Sequence, residues 1–194
     1  VTGLIKLNGV TVGAVANNDV ELTARGAQKA ADFINFCDAF NIPVLSLTNV
    51  KGYKANMCTE RNIAKAMARL TYAFANATVP KVNVIAGAAY GSAYVSMNSK
   101  GIGADMVYAW TGSQIGMMDA KLAAKIMYAE ADAATQQEKA SQYAALQSSP
   151  EAAAKRGYVD SIIEPKDTRK YVIGAFEMLF TKREDRPDKK HGTV

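Results

Sequence analysis

Lys81-Val82-Asn83-Val84-Ile85-Ala86, running into Gly87-Ala88-Ala89-Tyr90 and then Gly91-Ser92-Ala93-Tyr94, is an apolar strand that breaks into small residues and resumes as a helix. The pattern predicts a strand rich in β-branched residues ending at Gly87, with Gly91-Ser92-Ala93 opening the helix. A helix begun this way leaves the peptide N–H groups of its first turn without intrahelical acceptors, and small side chains let a ligand oxygen approach them. Such donors stabilise negative charge developing on an oxygen and need no ionisable side chain. The same residues also suit a turn whose small side chains merely allow close packing, and the segment alone does not choose between the two.

Strands and helices alternate outward from this point. Upstream, Leu4-Ile5-Lys6-Leu7 and Val10 to Ala16 flank Asn8-Gly9, a hairpin signal, because that pair accepts the positive φ angles of a tight turn. Thr23 is placed to cap a helix with Ala27, Ala30, Ile34, Cys37 and Phe40 on its apolar face, stopped by Asn41-Ile42-Pro43. A buried strand follows from Pro43 to Thr48, then a loop through Gly52-Tyr53. Next comes a long helix presenting Ile63, Met67, Leu70, Phe74 and Ala77.

Downstream, the helix after Gly91 is expected to run through Met97. Met106 to Trp110 and Gln114 to Met118 read as strands, and 120–157 as broken helix with Ser149-Pro150-Glu151 as a cap and first turn. A strand at Tyr158 to Ile163 and a helix from Asp167 or Thr168 to Phe180 complete one domain over 1–181, with a charged and mobile tail at 182–194. The alternation argues α/β with a largely parallel sheet. Periodicity does not separate a doubly wound sheet from stacked strand-strand-helix units.

Composition narrows the function classes. The 194 residues, 49% hydrophobic, suffice for one well-buried domain, and no apolar run approaches a bilayer span. The start lacks the pattern of a signal peptide, so a cytoplasmic location is expected. The net charge of +5 is partly carried by 182–191, and the remaining Lys and Arg are scattered among acids, unlike the basic stripe of a nucleic-acid binder. Cys37 and Cys58 show no metal-ligand or disulfide spacing and are expected as free thiols.

Several reaction classes lack their residues. The one histidine is His191, in the tail, so no Ser-His or Cys-His pair is available inside the domain. Tyr90 and Tyr94 stand where Gly-x-Ser-x-Gly requires glycine, so Ser92 reads as a backbone donor. Gly101 and Gly103 fall short of the dinucleotide and P-loop fingerprints. Asp119, after Met117-Met118 at a strand end, is the one carboxylate placed where a reacting group could sit. It is also an ordinary N-cap for the next helix. The methionines read as core filler or as an apolar wall, and Asp105 and Asp160 as turn or cap residues.

With these residues in view, the chain resembles the C-terminal half of the biotin-dependent acyl-CoA carboxyltransferases, the family of propionyl-CoA carboxylase β subunits and acyl-CoA decarboxylase α subunits. The resemblance rests on Phe33 to Pro43, Ala77-Thr78-Val79-Pro80-Lys81, Ala89 to Tyr94, Met97 to Lys100 and Gly103-Ala104-Asp105. It continues at Gly157-Tyr158-Val159-Asp160 and Lys189 to Gly192. It implies a crotonase/ClpP-like fold of stacked strand-strand-helix units, in a single domain.

It also implies that carboxybiotin on a carrier protein and an acyl-CoA meet in one cleft. The amides of Ser92 and Ala93, approached past Gly91, would hold the biotin oxyanion. Gly52, Tyr53, Val95, Met118 and Asp119 match substrate-side positions. Biotin is the implied cofactor, with no metal or nucleotide. The implied partners are an N-terminal carboxyltransferase half, the biotin carrier protein and further copies in a homo- or hetero-oligomer; nucleic acid and a membrane span are not implied.

The chain departs from the family pattern where Ser92 replaces a glycine, where Val50-Lys51-Gly52-Tyr53 replaces Val-Pro-Gly-Phe, and at Lys65-Ala66. Asp119 stands where carboxyltransferases carry Gly and hydratase-type crotonases an acid. A crotonase-type enoyl-CoA hydratase or isomerase, and a noncatalytic assembly subunit, are the alternative expectations. Because the implied N-terminal half is missing and the first residue is not Met, the chain is expected to be one subunit of two or a fragment.

Overall fold

The hairpin forms as its turn dictates. In the computed structural model, which describes residues 1–184, β1 (Thr2–Leu7) and β2 (Val10–Ala16) pair antiparallel about Asn8 (φ 48°) and Gly9 (φ 81°). After the short β3 (Glu21–Leu22), Thr23 accepts the Gly26 N–H and starts α1 (Ala24–Ala39). β4 (Val44–Val50) and β5 (Gly52–Tyr53) lead to α2 (Met57–Asn76), whose first turn is capped by Asn56. β6 (Lys81–Tyr90) runs directly into α3 (Gly91–Val95).

Then come β7 (Met106–Trp110), β8 (Gln114–Gly116), α4 (Ala120–Met127) and α5 (Ala133–Tyr143). A π-helical turn (Ala144–Ser148) joins α5 to the segment that carries α6 (Pro150–Lys155). β9 (Ser161–Ile163) and α7 (Thr168–Met178) complete the elements, with a 3-10 turn at Leu179–Thr181.

The main sheet has the order β1-β2-β4-β6-β7-β9, with β8 added to β6. Every pairing other than the hairpin is parallel. Alternation along the strands divides the core. Val12, Leu45, Val82, Val84 and Tyr108 face α7, while Val44, Ile85, Val107 and Ala109 face the side covered by α1 and α2. β3 and β5 form a separate two-stranded parallel pair.

β6 does not end at Gly87 as its composition predicts. It continues to Tyr90, pairing with β7 over Val82 to Ile85 and with β8 over Ala88 to Tyr90, and its register against β4 shifts between Thr48 and Val50. The irregularity is held by Asn49, whose Oδ1 accepts the Ala88 N–H at 2.9 Å. Gly87 makes room for it, since a Cβ there would stand 2.6 Å from that oxygen. The following helix is correspondingly shorter than expected, ending at Val95.

Phe40 also departs from expectation. It is 65% exposed, because α1 has already ended and Asn41 turns the chain at φ 54°. Asp105 and Asp160 serve strand beginnings: Asp105 accepts the Lys81 N–H at 2.7 Å and Asp160 the Val107 N–H at 2.7 Å. Of the tail expected over 182–194, residues 185–194, with His191 and the Lys189 to Gly192 motif, lie outside the described residues. Lys182 is packed onto the body, with Nζ 2.9 Å from Asp105 and 3.2 Å from the Val79 carbonyl.

Both cysteines are free, Cys37 buried and Cys58 exposed. Burial, aided by the nearby Asp38 carboxylate, pushes the Cys37 thiol up to about 11. A thiol alkylating reagent at pH 8 is therefore expected to label Cys58 in the folded chain and to leave Cys37 unmodified until denaturant is added, as peptide mass mapping would read. The raised value also works against stability in alkali. Below the ordinary thiol range both states keep the proton; above it only the unfolded chain releases it, so stability declines as pH rises towards 11.

Candidate active site

α3 springs from the end of the central strand with Tyr90 at its N-cap, and no side chain of the described residues caps it. Because it has five residues, the N–H groups of Gly91, Ser92 and Ala93 all belong to its first turn and have no intrahelical acceptor. Gly91 has φ +59°, and a Cβ there would lie 3.1 Å from the Met117 carbonyl oxygen. The helix start thus requires glycine twice over, for its backbone angle and for the approach of the Met117 segment. Ala93 is buried at 1% exposure and fixes the helix against the core. Ser92 and Val95 (44% exposed) stand on the outward side.

The other expected site residues gather around this helix. β5 lies against α3, bringing half-buried Gly52 and Tyr53 beside it, and the Tyr53 hydroxyl meets the Met67 sulfur. Met118 is half-buried and Met117 exposed, both following β8 alongside Gly91. Asp119 caps α4: its Oδ1 accepts the N–H groups of Lys121 at 2.9 Å and Leu122 at 3.3 Å. The Tyr90 hydroxyl donates to Gln114 Oε1. Its acidity is lowered by burial first, then by the Asp119 carboxylate and Tyr143.

The outward face of α3 is open. Cavities of about 180 and 780 Å³ lie elsewhere, the smaller lined by Val1, Val15, Thr23 and Met97 and the larger by Leu7, Pro80, Phe176 and Lys182. Among the described residues no three His, Cys, Asp or Glu side chains come together as metal ligands. What α3 offers is therefore a first turn of backbone donors without intrahelical acceptors, with Ser92 and Val95 exposed and Tyr53 and Met118 half-buried around the helix.

The sequence model of the carboxyl transferase domain matches residues 1–194, the whole chain. The chain belongs to this family. The carboxyl transferase chain is 44% identical to a putative propionyl-CoA carboxylase beta chain of Bacillus subtilis (strain 168), over all of its own length and 40% of the relative's. It is 40% identical to the methylmalonyl-CoA decarboxylase subunit alpha of Propionigenium modestum, over 100% of its own length and again 40% of the relative's.

Its backbone matches the crystal structure of transcarboxylase 12S, described as a hexamer assembly with hydrolysed methylmalonyl-coenzyme A bound. The TM-score is 0.93 at 41% identity, over 99% of this chain and 39% of that one. The carboxyl transferase chain thus spans about 40% of the length of the curated relatives it matches. Its fold is the crotonase-like α/β architecture of the carboxyltransferase structures, as the resemblance implies.

Sequence reasoning overlooked the polar residues beneath α3 of this carboxyl transferase domain. Ser46, Thr48, Asn83 and Asn98 are all buried, on the α1 and α2 side of the sheet, and hydrogen-bonded among themselves. A signal was present: Leu45-Ser46-Leu47-Thr48 and Val82-Asn83-Val84 place polar residues at alternate positions of strands too apolar to have a solvent face. Asn49, which re-aims β6 toward α3, carried no such signal, because nothing in its neighbourhood of the chain marks Ala88 as its partner.

Proposed function

We propose that this chain is the carboxybiotin-side half of an acyl-CoA carboxyltransferase, moving a carboxyl group between biotin on a carrier protein and the α-carbon of a short acyl-CoA. The observation that carries the reading is the uncapped first turn of α3, whose Ser92 and Ala93 amides have no intrahelical acceptor, in a chain of the carboxyl transferase family. The donor set suits a urea oxygen, which is neutral until the ring nitrogen loses its carboxyl group. Backbone amides meet the growing charge with no proton change of their own. When bound, biotin supplies the nitrogen that carries the carboxyl group and that takes the substrate α-proton after the group has left.

The chain's own part is to position and stabilise. Ser92 and Ala93 donate to the oxygen, and Gly91 leaves the approach to them free. Gly52, Tyr53, Val95 and Met118 form the wall along which the acyl group lies, while the exposed side is closed by an N-terminal carboxyltransferase half. The shares of the relatives' length left unmatched support a missing half, and the hexameric assembly of transcarboxylase 12S supports an oligomer. The free thiols support a reducing compartment, the cytoplasm.

The chain, combined with the N-terminal half and a biotinylated carrier, is expected to exchange labelled carboxyl groups with a short acyl-CoA such as propionyl-CoA. A verified complex without exchange on any short acyl-CoA would sink the reading. Asp119 distinguishes the hydratase alternative. Its carboxylate is engaged by two amides, and asparagine caps a helix equally well, so Asp119→Asn should leave carboxyl transfer within about twofold. A hydratase working through that carboxylate would instead lose turnover of an enoyl-CoA.

A further inference from the structure

α3 is too short to hold its own direction. Isolated helices below about 12 residues are marginal, and this one has five, begins at a glycine with φ +59° and lacks a side-chain N-cap. Its C-terminal end, by contrast, is held from several sides. Ser96 Oγ donates to the Ala93 carbonyl at 2.9 Å and Ser99 Oγ to the Val95 carbonyl at 3.0 Å. Below them lies the buried polar row of the sheet. Thr48 Oγ1 lies 3.3 Å from the Met97 carbonyl and 2.9 Å from Asn83 Oδ1. Asn98 Nδ2 donates to Ser46 Oγ at 3.0 Å, and Ser46 Oγ lies 3.1 Å from Asn83 Oδ1.

Each hydroxyl has one proton to give, and an amide oxygen has two lone pairs to accept with. Thr48 shares its proton between Asn83 Oδ1 at 2.9 Å and the Met97 carbonyl at 3.3 Å, and Ser46 serves Asn83 Oδ1 while accepting from Asn98. The network then grips the chain beyond α3 at two successive residues, Met97 by its carbonyl and Asn98 by its side chain. Asn98 sits at φ +59°, where the chain turns away from the helix line. Asn83, at the centre, belongs to β6, the strand that carries α3 at its other end.

We infer that Thr48, Ser46, Asn83 and Asn98 are positioning residues of the carboxyl-transfer site: they fix the C-terminal end of α3 and thereby aim the amides of Ser92 and Ala93. The inference rests on the function proposed above. Thr48 is the informative position, because valine keeps its shape and removes only the hydroxyl that ties Asn83 of the sheet to the Met97 carbonyl. In the chain alone, Thr48→Val should raise the hydrogen exchange of the Tyr94 to Met97 amides about tenfold, for one lost hydrogen bond, while exchange in the β4–β7 sheet stays as it was.

In the complex with the N-terminal half and biotinylated carrier, the same variant should lower kcat for carboxyl transfer about tenfold at unchanged KM for the acyl-CoA, per folded enzyme. Thr48→Ser, which restores the hydroxyl, should recover both values. A role confined to general stability would move neither kcat per folded enzyme nor local exchange.

Unchanged exchange around α3 overturns the inference, whatever the activity. Raised exchange with unchanged kcat also overturns it, and Ala93→Pro then locates the fault. If Ala93→Pro abolishes transfer, the amides act but the network does not aim them; if it too leaves transfer intact, the oxyanion reading itself is wrong.

Discussion

Ala93→Pro is expected to reduce carboxyl transfer by the assembled enzyme about 10²–10³-fold, the loss typical of deleting one oxyanion donor. The substitution removes a single N–H, and that N–H lies in the first turn of α3, where no intrahelical bond depends on it. If the donor acts as proposed, on charge that appears only as the carboxyl group leaves, kcat should fall while KM for the acyl-CoA stays close to its original value.

Ala93 is fully buried, so the proline ring must be shown to fit: the variant's melting temperature and its complex with the N-terminal half are measured first. The control without an added ring is an ester in place of the peptide bond between Ser92 and Ala93. It deletes the same N–H and should give a loss of the same order. Full activity of the ester variant would remove the Ala93 amide from the site.

Gly87→Ala is expected to lower stability by about 1–3 kcal/mol, chiefly by leaving an amide unsatisfied. The new Cβ would stand 2.6 Å from Asn49 Oδ1 and 2.9 Å from its Cγ, so the Asn49 side chain must leave, and the Ala88 N–H loses its acceptor. For a domain of this size that corresponds to a melting temperature lower by roughly 2–12 °C.

The mechanism is checked by a double-mutant cycle. Asn49→Ala by itself frees the Ala88 N–H, and adding Gly87→Ala should then cost little, because the overlap is gone. Additive losses would show that Gly87 acts through something other than Asn49. Since β6 re-pairs from β7 to β8 across this point, the single variants should also lower carboxyl transfer through misplacement of α3.

Much of the candidate site was legible because its signals are local. Asn8-Gly9 fixes a hairpin through its own φ angles, and Thr23, Asp119 and Ser149 cap helices within three residues of themselves. The small residues from Gly87 to Ala93 marked the place where a strand hands over to a helix. Composition misjudged where that strand ends, because small residues look like a break although they are here a bend within β6.

The order of elements, the parallel character of the sheet and the uncapped helix start at Ser92 and Ala93 were therefore determined by the sequence itself, through periodicity and interactions within a helical turn. Tertiary structure alone decided which distant groups aim that helix. Asn49 meets the Ala88 amide across 39 residues, and Thr48 meets the Met97 carbonyl across 49. Buried polar groups must find partners wherever the folded chain brings them, so their pairing depends on strand register and on the path of β6, which no local pattern encodes.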